Sequence, residues 1–362
     1  VLTHADNRAL REKFYRAWVT RCSDESDSNG EFDNAAIMED ILRLRHEVAQ
    51  LIGYENFADY ALATRMAKTV AEVEEFLVEL AEVSLPVAQR EFAALEDWAG
   101  SKLDAWDVGY YSEKLRQERF SISEEELRPY FPLDQVLGGL FDVITKLYGL
   151  KVERAEDIDT WDEQVRYFRL IDSSGQEVGA VFMDLFARPN KRSGAWMDEC
   201  LLRRRIDDRI DIPVAHLVCN YTAPGDDKPA LLSHDEIVTL FHECGHKLHH
   251  LLSRIDYPSI AGTRVAWDAV ELPSQFMENF AWDPDVLRDL SKHIDTGESL
   301  PDDMLDRINA SRVFQAGMAM VRQLEFALFD WRMHANYAPE HGGRIQETHD
   351  QVRNEVSVIQ AP

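Results

Sequence analysis

The chain has 362 residues, of which 45% are hydrophobic, a composition typical of a globular protein large enough to bury a sizeable core. Sixty-six acidic residues against 39 basic ones give a formal charge of −27, which repels phosphate backbones and anionic lipids and argues against nucleic-acid and membrane partners. The sequence has no run of about 18 apolar residues, and its first residues do not resemble a signal peptide, so we expect a cytoplasmic protein.

The four cysteines are spread along the chain without the spacing of a metal knuckle or a disulfide framework. We expect all of them to be reduced and to act as small buried hydrophobic residues. They are Cys22, Cys200, Cys219 and Cys244.

Residues 1–150 are predicted to form a helical lobe, because apolar side chains recur there at intervals of three and four residues. Pro86 predicts a kink in a long helix, and a polar stretch at 23–34 predicts a loop. Ser123 and Glu126 have the spacing of a capping box. The periodicity predicts helices over residues 41–52, 57–66, 70–98 and 133–148.

Residues 151–362 are predicted to form a second lobe that contains a small β-sheet. Residues 167–171 and 178–182 flank a polar turn and predict a hairpin, and residues 214–221 predict a further strand. The Arg203-Arg204-Arg205 run is expected on a charged helix face or loop. Further helices are predicted over residues 301–334 and 345–359.

Two features of the sheet region have more than one interpretation. An exposed edge strand can pair with the backbone of an extended peptide, or the hairpin can simply cover the core. The basic loop at 188–196 can hold substrate carboxylates, or its charges can solvate a turn.

A helix from Ser233 to about residue 252 is predicted to carry the chemistry. Ser233 and Glu236 form a capping box at its start. An apolar stripe follows at helical spacing, formed by Ile237, Leu240, Phe241, Cys244, Leu248, Leu251 and Leu252. The helix is therefore amphipathic and half-buried.

This helix contains the sequence His242-Glu243-Cys244-Gly245-His246, an H-E-x-x-H motif. The i, i+4 spacing places both imidazoles on one face, where they can bind a single ion. Zinc accepts neutral imidazole nitrogens and, in catalytic sites, keeps one position for water. We expect His242 and His246 to be zinc ligands and Glu243 to be the general base.

Two histidines leave zinc short of protein ligands, so a third ligand must come from elsewhere. Glu271 is the preferred candidate, because the helix after it can fold back against the first. Glu278, seven residues later, is the competing candidate. Asp268 is a candidate acceptor for an imidazole N–H. His249 and His250 are expected to be supporting or solvated residues instead of ligands.

Several motifs in order along the chain together resemble the thimet oligopeptidase family of zinc metallopeptidases. The motifs are Tyr110-Tyr111 with residues 130–132, residues 184–188 with 191–197, the H-E-x-x-H motif at 242–246, and residues 270–279. The resemblance covers essentially the whole chain. It implies a mainly α, multi-helical zincin-type fold in which the first lobe forms part of a channel wall and the second is the catalytic zinc lobe.

The resemblance also implies a function and a set of site residues. His242, His246 and Glu271 would bind one Zn²⁺, and Glu243 would act as the base in cleaving internal bonds of short peptides. Family members extend beyond both ends of this chain, and a Gly- and Tyr-rich C-terminal segment supplies their oxyanion donors. We expect this chain to end before that segment. The alternative hypothesis is therefore a catalytically impaired zinc protein that binds peptides or needs another polypeptide to complete its site.

Overall fold

The computed structural model describes residues 1–27, 30–120, 124–225 and 228–359. The chain forms two compact units, one made of Val1–Ser121 with Ser311–Pro362 and the other of Ile122–Ala310. The functional division at residue 150 stays a prediction. Ser123, the first residue of the predicted capping box, lies outside the described residues.

The first unit is helical in the described residues. Its helices pack around α4 (Val70–Ala99) and α12 (Ala316–Ala335), with Ala81, Leu324 and Leu328 in one buried cluster and Ala88 and Val321 in another. Its elements are α1 (Arg8–Val19), α2 (Ala35–Leu51), α3 (Phe57–Leu62), α4 (Val70–Ala99), α5 (Ala105–Phe120), α12 (Ala316–Ala335) and α13 (Ile345–Val356).

The second unit combines helices with the sheet. Its helices are α6 (Glu124–Leu127), α7 (Leu133–Tyr148), α8 (His234–Leu251), α9 (Leu272–Glu278), α10 (Pro284–Leu290) and α11 (Asp302–Ser311), whose last residue belongs to the first unit. Its strands are β1 (Lys151–Ala155), β2 (Arg166–Ile171), β3 (Glu177–Phe186), β4 (Trp196–Leu201), β5 (Arg204–Ile206), β6 (Arg209–Asp211) and β7 (Val214–Tyr221).

Five strands form one sheet in the order β1-β2-β3-β7-β4. The β3–β7 pair is parallel and the other pairs are antiparallel. Because β4 is last in the order, it is an edge strand, with β7 as its neighbour. Helix α8 packs on β7, β4 and β3. The prediction of a mainly α fold with a small sheet beside the H-E-x-x-H helix is confirmed.

Several predicted elements agree with the structure to within a few residues. Helix α7 and strand β7 have the predicted bounds, and β2 and β3 form the predicted hairpin. Helix α4 continues past Pro86 without a break. The predicted helix over 301–334 is divided into α11 and α12, where Gln315 has a φ of 54°.

Two predictions are wrong. Arg204 and Arg205 lie in strand β5, not in a helix or an irregular loop, because Asp207 adopts a φ of 53° that allows a tight turn into β6. Burial is predicted for every cysteine, but Cys22 and Cys200 are exposed and only the other two are buried.

No helix in the described part of the chain is long and apolar enough to cross a membrane.

Candidate metal and catalytic site

Both ends of α8 are fixed by contacts within the second unit. At its start Ser233 and Glu236 form the predicted capping box, and Arg128 donates to Glu236 at 2.9 Å. Tyr221 Oη, at the end of β7, donates to the Glu236 carbonyl at 3.0 Å. Near the other end, His250 Nε2 lies 2.9 Å from the carbonyl oxygen of Leu201, so that nitrogen carries the proton. The helix is therefore held along its length against the sheet.

The apolar stripe of α8 faces the core and leaves the metal-binding face accessible. Ile237, Leu240, Phe241 and Cys244 are completely buried. The side chains of His242 and His246 keep 25% and 13% exposure. One face thus anchors the helix while the other presents two imidazoles.

His242, His246 and Glu271 converge on one point. Glu271 Oε2 lies 3.3 Å from His242 Nε2 and 3.0 Å from His246 Nε2. Ligand atoms at the corners of a tetrahedron with bonds of about 2.0–2.1 Å are separated by roughly 3.3 Å. The three donors therefore fit a zinc-sized ion, and they form the one cluster of metal-ligating side chains found among the described residues.

Gly245 allows α9 to approach α8 closely enough to bring Glu271 to the histidines. A Cβ at this glycine would lie 2.4 Å from the Pro273 carbonyl oxygen and 2.5 Å from Ser274 Cα. The hydroxyl of Ser274 lies 2.8 Å from both the carbonyl oxygen and Oε2 of Glu271. A glycine inside a helix costs about 1 kcal/mol relative to alanine, so its position in the motif was a signal of close packing.

Glu278 contacts a histidine on the side away from the converging donors. Its Oε1 lies 2.7 Å from His242 Nδ1, and because a carboxylate only accepts, Nδ1 carries the proton and Nε2 presents its lone pair. This contact favours Glu271 over Glu278 as the third donor. The proposed contact of Asp268 with an imidazole stays a prediction.

Glu243 lies beside the donors in a largely dehydrated position. Its side chain is 6% exposed, and Oε2 has no hydrogen-bond partner among the described residues. Burial raises the pKa of this carboxyl group to about 7, with His242 opposing the shift and Glu271 adding to it. Burial also lowers the pKa of His246, which favours the neutral imidazole that a metal requires.

The basic loop at 188–196 has structural contacts, and so does His250, which with His249 follows the H-E-x-x-H motif. Arg188 and Lys191 both bind Asp184, which corrects the view of the loop as a set of solvated charges. His250 binds the backbone of β4, and neither it nor His249 belongs to the metal-ligating cluster. No sequence pattern identifies these partners: Asp184 contacts its two cations across the end of β3, and Leu201, 49 residues from His250, lies on a strand that is not predicted.

The edge strand β4 runs past the metal site. Strand β7 is antiparallel to α8, since Tyr221 contacts the start of the helix while Pro213 and Leu251 meet at Gly179. His242 and His246 lie about 9–15 Å along the axis from Glu236, a distance of about three to five strand residues. Counted back along β7 from Tyr221, this distance reaches residues 216–218, which therefore lie level with the two histidines. These residues pair with residues 196–198 of β4.

These features define a site of the H-E-x-x-H metallopeptidase class: two histidines and an intervening glutamate on one helix, a carboxylate at the start of the next helix as the third donor, and a sheet edge alongside. The sequence model of peptidase family M3 matches residues 1–362, so the chain belongs to this family. The predicted zincin-type fold class is confirmed by this membership, and the family is in general zinc-dependent.

Individual relatives agree with this assignment. Oligopeptidase A from Salmonella typhimurium and oligopeptidase A from Escherichia coli are each 47% identical over 369 residues, which cover 100% of this chain and 54% of each relative. Dipeptidyl carboxypeptidase from Escherichia coli is 34% identical over 339 residues, 92% of this chain and 49% of that protein. The chain therefore spans about half the length of the curated relatives it matches.

Proposed function

We propose that the chain carries the active site of a zinc-dependent oligopeptidase that hydrolyses internal bonds of short peptides. The observation that carries the proposal is the convergence of His242, His246 and Glu271 next to the buried carboxyl group of Glu243. The donor set and its spacing suit zinc. Zinc held there would polarise a peptide carbonyl group and acidify a water molecule.

Glu243 is the proposed proton carrier. Its carboxylate takes a proton from the attacking water and returns it to the amine that leaves. Glu278 supports the step indirectly by fixing the orientation of His242.

The peptide is proposed to bind as an extended strand along β4. This strand is an edge of the sheet and passes the level of the two histidines. Its outer backbone groups can pair with a peptide backbone, which fixes the cleaved bond without demanding a particular side chain.

We also propose a cytoplasmic location, which the four free cysteines support because free thiols suit a reducing compartment.

The test is cleavage of a quenched peptide of about ten residues by the purified, zinc-loaded chain. We expect one zinc per chain, cleavage that is lost on chelation and regained with zinc, and no cleavage by Glu243→Gln. A zinc-loaded chain that binds the peptide with no Glu243-dependent cleavage would favour the peptide-binding alternative. Absence of both zinc and peptide binding would overturn the proposal.

A further inference from the structure

The segment between His246 and Glu271 is attached to the edge strand β4 and to the residues that follow this strand. Residues 250–264 contact residues 199–205 at three places, which we call the strand clamp. The contacts are His250 with the Leu201 carbonyl, Asp256 with Arg203 and Arg205, and Glu199 with Thr263 and Arg264. The clamp therefore joins β4 to the same stretch of chain that carries His246.

The clamp contacts differ greatly in their exposure to water. Arg205 and Arg264 have side chains 51% and 47% exposed, and ion pairs at such positions contribute little because water solvates and screens the charges. His250 is 1% exposed, and its Nε2 donates to Leu201 at 2.9 Å. A hydrogen bond whose donor is fully buried costs more to break than an exposed ion pair, because water does not readily replace the lost partner of the donor. His250 is therefore the dominant contact of the clamp.

The surroundings of His250 hold its ring in one place. Gly262 has a φ of 63°, and a Cβ on it would lie 2.6 Å from His250 Nδ1, so the loop closes directly on the ring. His250 is also one helical turn beyond His246. Movement of the ring would shift the end of β4 relative to the metal-binding residues.

We propose that His250 is a positioning residue for peptide binding: by holding the Leu201 carbonyl it sets where the edge strand, and hence an extended peptide, lies relative to the metal site. The inference rests on the proposed function, since it assumes that the peptide pairs with β4. Leu201 is three to five residues beyond the level of the two histidines, about 10–17 Å along the strand. Only peptides that extend this far would use the clamped end.

The experiment compares two quenched substrates, one of about ten residues and one of about four, with wild-type protein and three variants. His250→Met keeps similar volume but removes the donor. His250→Gln restores an N–H near the original Nε2. Arg264→Gln is the matched control that breaks only an exposed clamp contact.

We expect His250→Met to raise KM for the long peptide about tenfold while kcat changes less than about twofold. The short peptide should change much less, His250→Gln should recover most of the long-peptide KM, and Arg264→Gln should stay within about twofold. Zinc content and Tm of every variant show whether the site and the fold persist.

The outcomes separate the inference from the proposed function. Equal effects on long and short peptides, or a His250→Met KM within about twofold of wild type, would overturn the positioning role while leaving the peptidase intact. If the wild-type chain binds peptide without cleaving it, the same comparison is made with the Kd of the labelled long peptide for zinc-loaded protein. A wild-type chain that neither cleaves nor binds peptide removes the proposed function and the inference together.

Discussion

Two clusters of polar side chains beside the sheet use similar ingredients with opposite results. In the Asp184 cluster, formed by Asp184, Arg188 and Lys191, each carboxylate oxygen accepts from a cation and the lysine ammonium reaches four oxygens at 2.6–2.9 Å. In the metal cluster, His242, His246 and Glu271 bring three electron-pair donors to within 4.8 Å of one another. In the first arrangement the carboxylate and its cations satisfy one another by hydrogen bonds, whereas the second suits an added cation.

Carboxyl pKa values show the same difference. Burial alone would raise the pKa of Asp184, but hydrogen bonds from Arg188, Lys191 and Trp161 lower it to about 2. At Glu243 burial raises the pKa to about 7. A buried carboxyl group with complete partners is a structural element, and one with a free oxygen beside converging donors is a candidate for proton transfer. The predictions below test this distinction.

The largest effect is expected at Glu243. Replacement by Gln keeps the shape of the side chain and removes its ability to take a proton, so kcat/KM should fall by about 10²- to 10⁴-fold. Zinc content should stay near one per chain, because Glu243 is not among the converging donors. Steady-state kinetics with metal analysis checks both. Retained turnover would assign the base to another residue.

The matching change in the Asp184 cluster should affect stability instead. Asp184→Asn removes the carboxylate that faces both Arg188 and Lys191, and breaking a buried pair in this way costs about 3–5 kcal/mol. Asp157→Asn, which breaks the exposed pair with Arg169, should leave the free energy of unfolding almost unchanged. Denaturant unfolding gives both values. An Asp184→Asn protein with normal stability but lost zinc would place this cluster in the site.

Glu278 tests how far the metal cluster extends. Glu278→Gln weakens the hold on His242 and should lower zinc affinity about 10- to 100-fold, the usual effect of losing a partner behind a metal-binding histidine. Glu271→Ala removes a converging donor and should lower the affinity further. Competition with a chelator measures both variants. The reverse order would make Glu278 the third ligand.

The sequence predicted the parts of the site that depend on short-range spacing. The i, i+4 histidines and the capping box of α8 follow from helical periodicity, and the preference for Glu271 needed only a turn back onto the helix. The hydrogen-bond partners of His250 and Lys191, which lie outside the metal cluster, could not be predicted in the same way. His250 contacts Leu201 on a strand whose mixed exposure hides its pattern, and Lys191 contacts Cys219 through a backbone carbonyl.

The division of the chain into compact units was equally hard to read from sequence. The first unit combines residues from both described ends of the chain, where α12 packs on α4. Local periodicity identifies each helix but carries no information about pairing over such a separation.

A smaller effect is expected on the free energy of unfolding at acid pH. The depressed pKa of Asp184 means that its carboxylate stabilises the folded protein above the ordinary pKa of 3.8, and that this contribution is lost as the pH falls through about 2. A shift of this size corresponds to about 2 kcal/mol. The difference in unfolding free energy between wild type and Asp184→Asn should therefore narrow below pH 4. A difference that does not change with pH would contradict the charge-based account of this cluster.

The smallest effect is expected at Lys247, which contrasts with Lys191. Both ammonium groups are buried, but Lys247 Nζ has no oxygen partner among the described residues and faces the Cys244 thiol, a weak acceptor. Replacing a poorly compensated buried charge by an apolar side chain of similar volume is often stabilising, so Lys247→Met should raise the free energy of unfolding by about 1 kcal/mol or more. Lys191→Met should lower it by several kcal/mol, because four oxygens lose their donor. Denaturant unfolding of the two variants decides the comparison: if both were destabilised alike, hydrogen-bond partners would not be what distinguishes a structural charge from an uncompensated one.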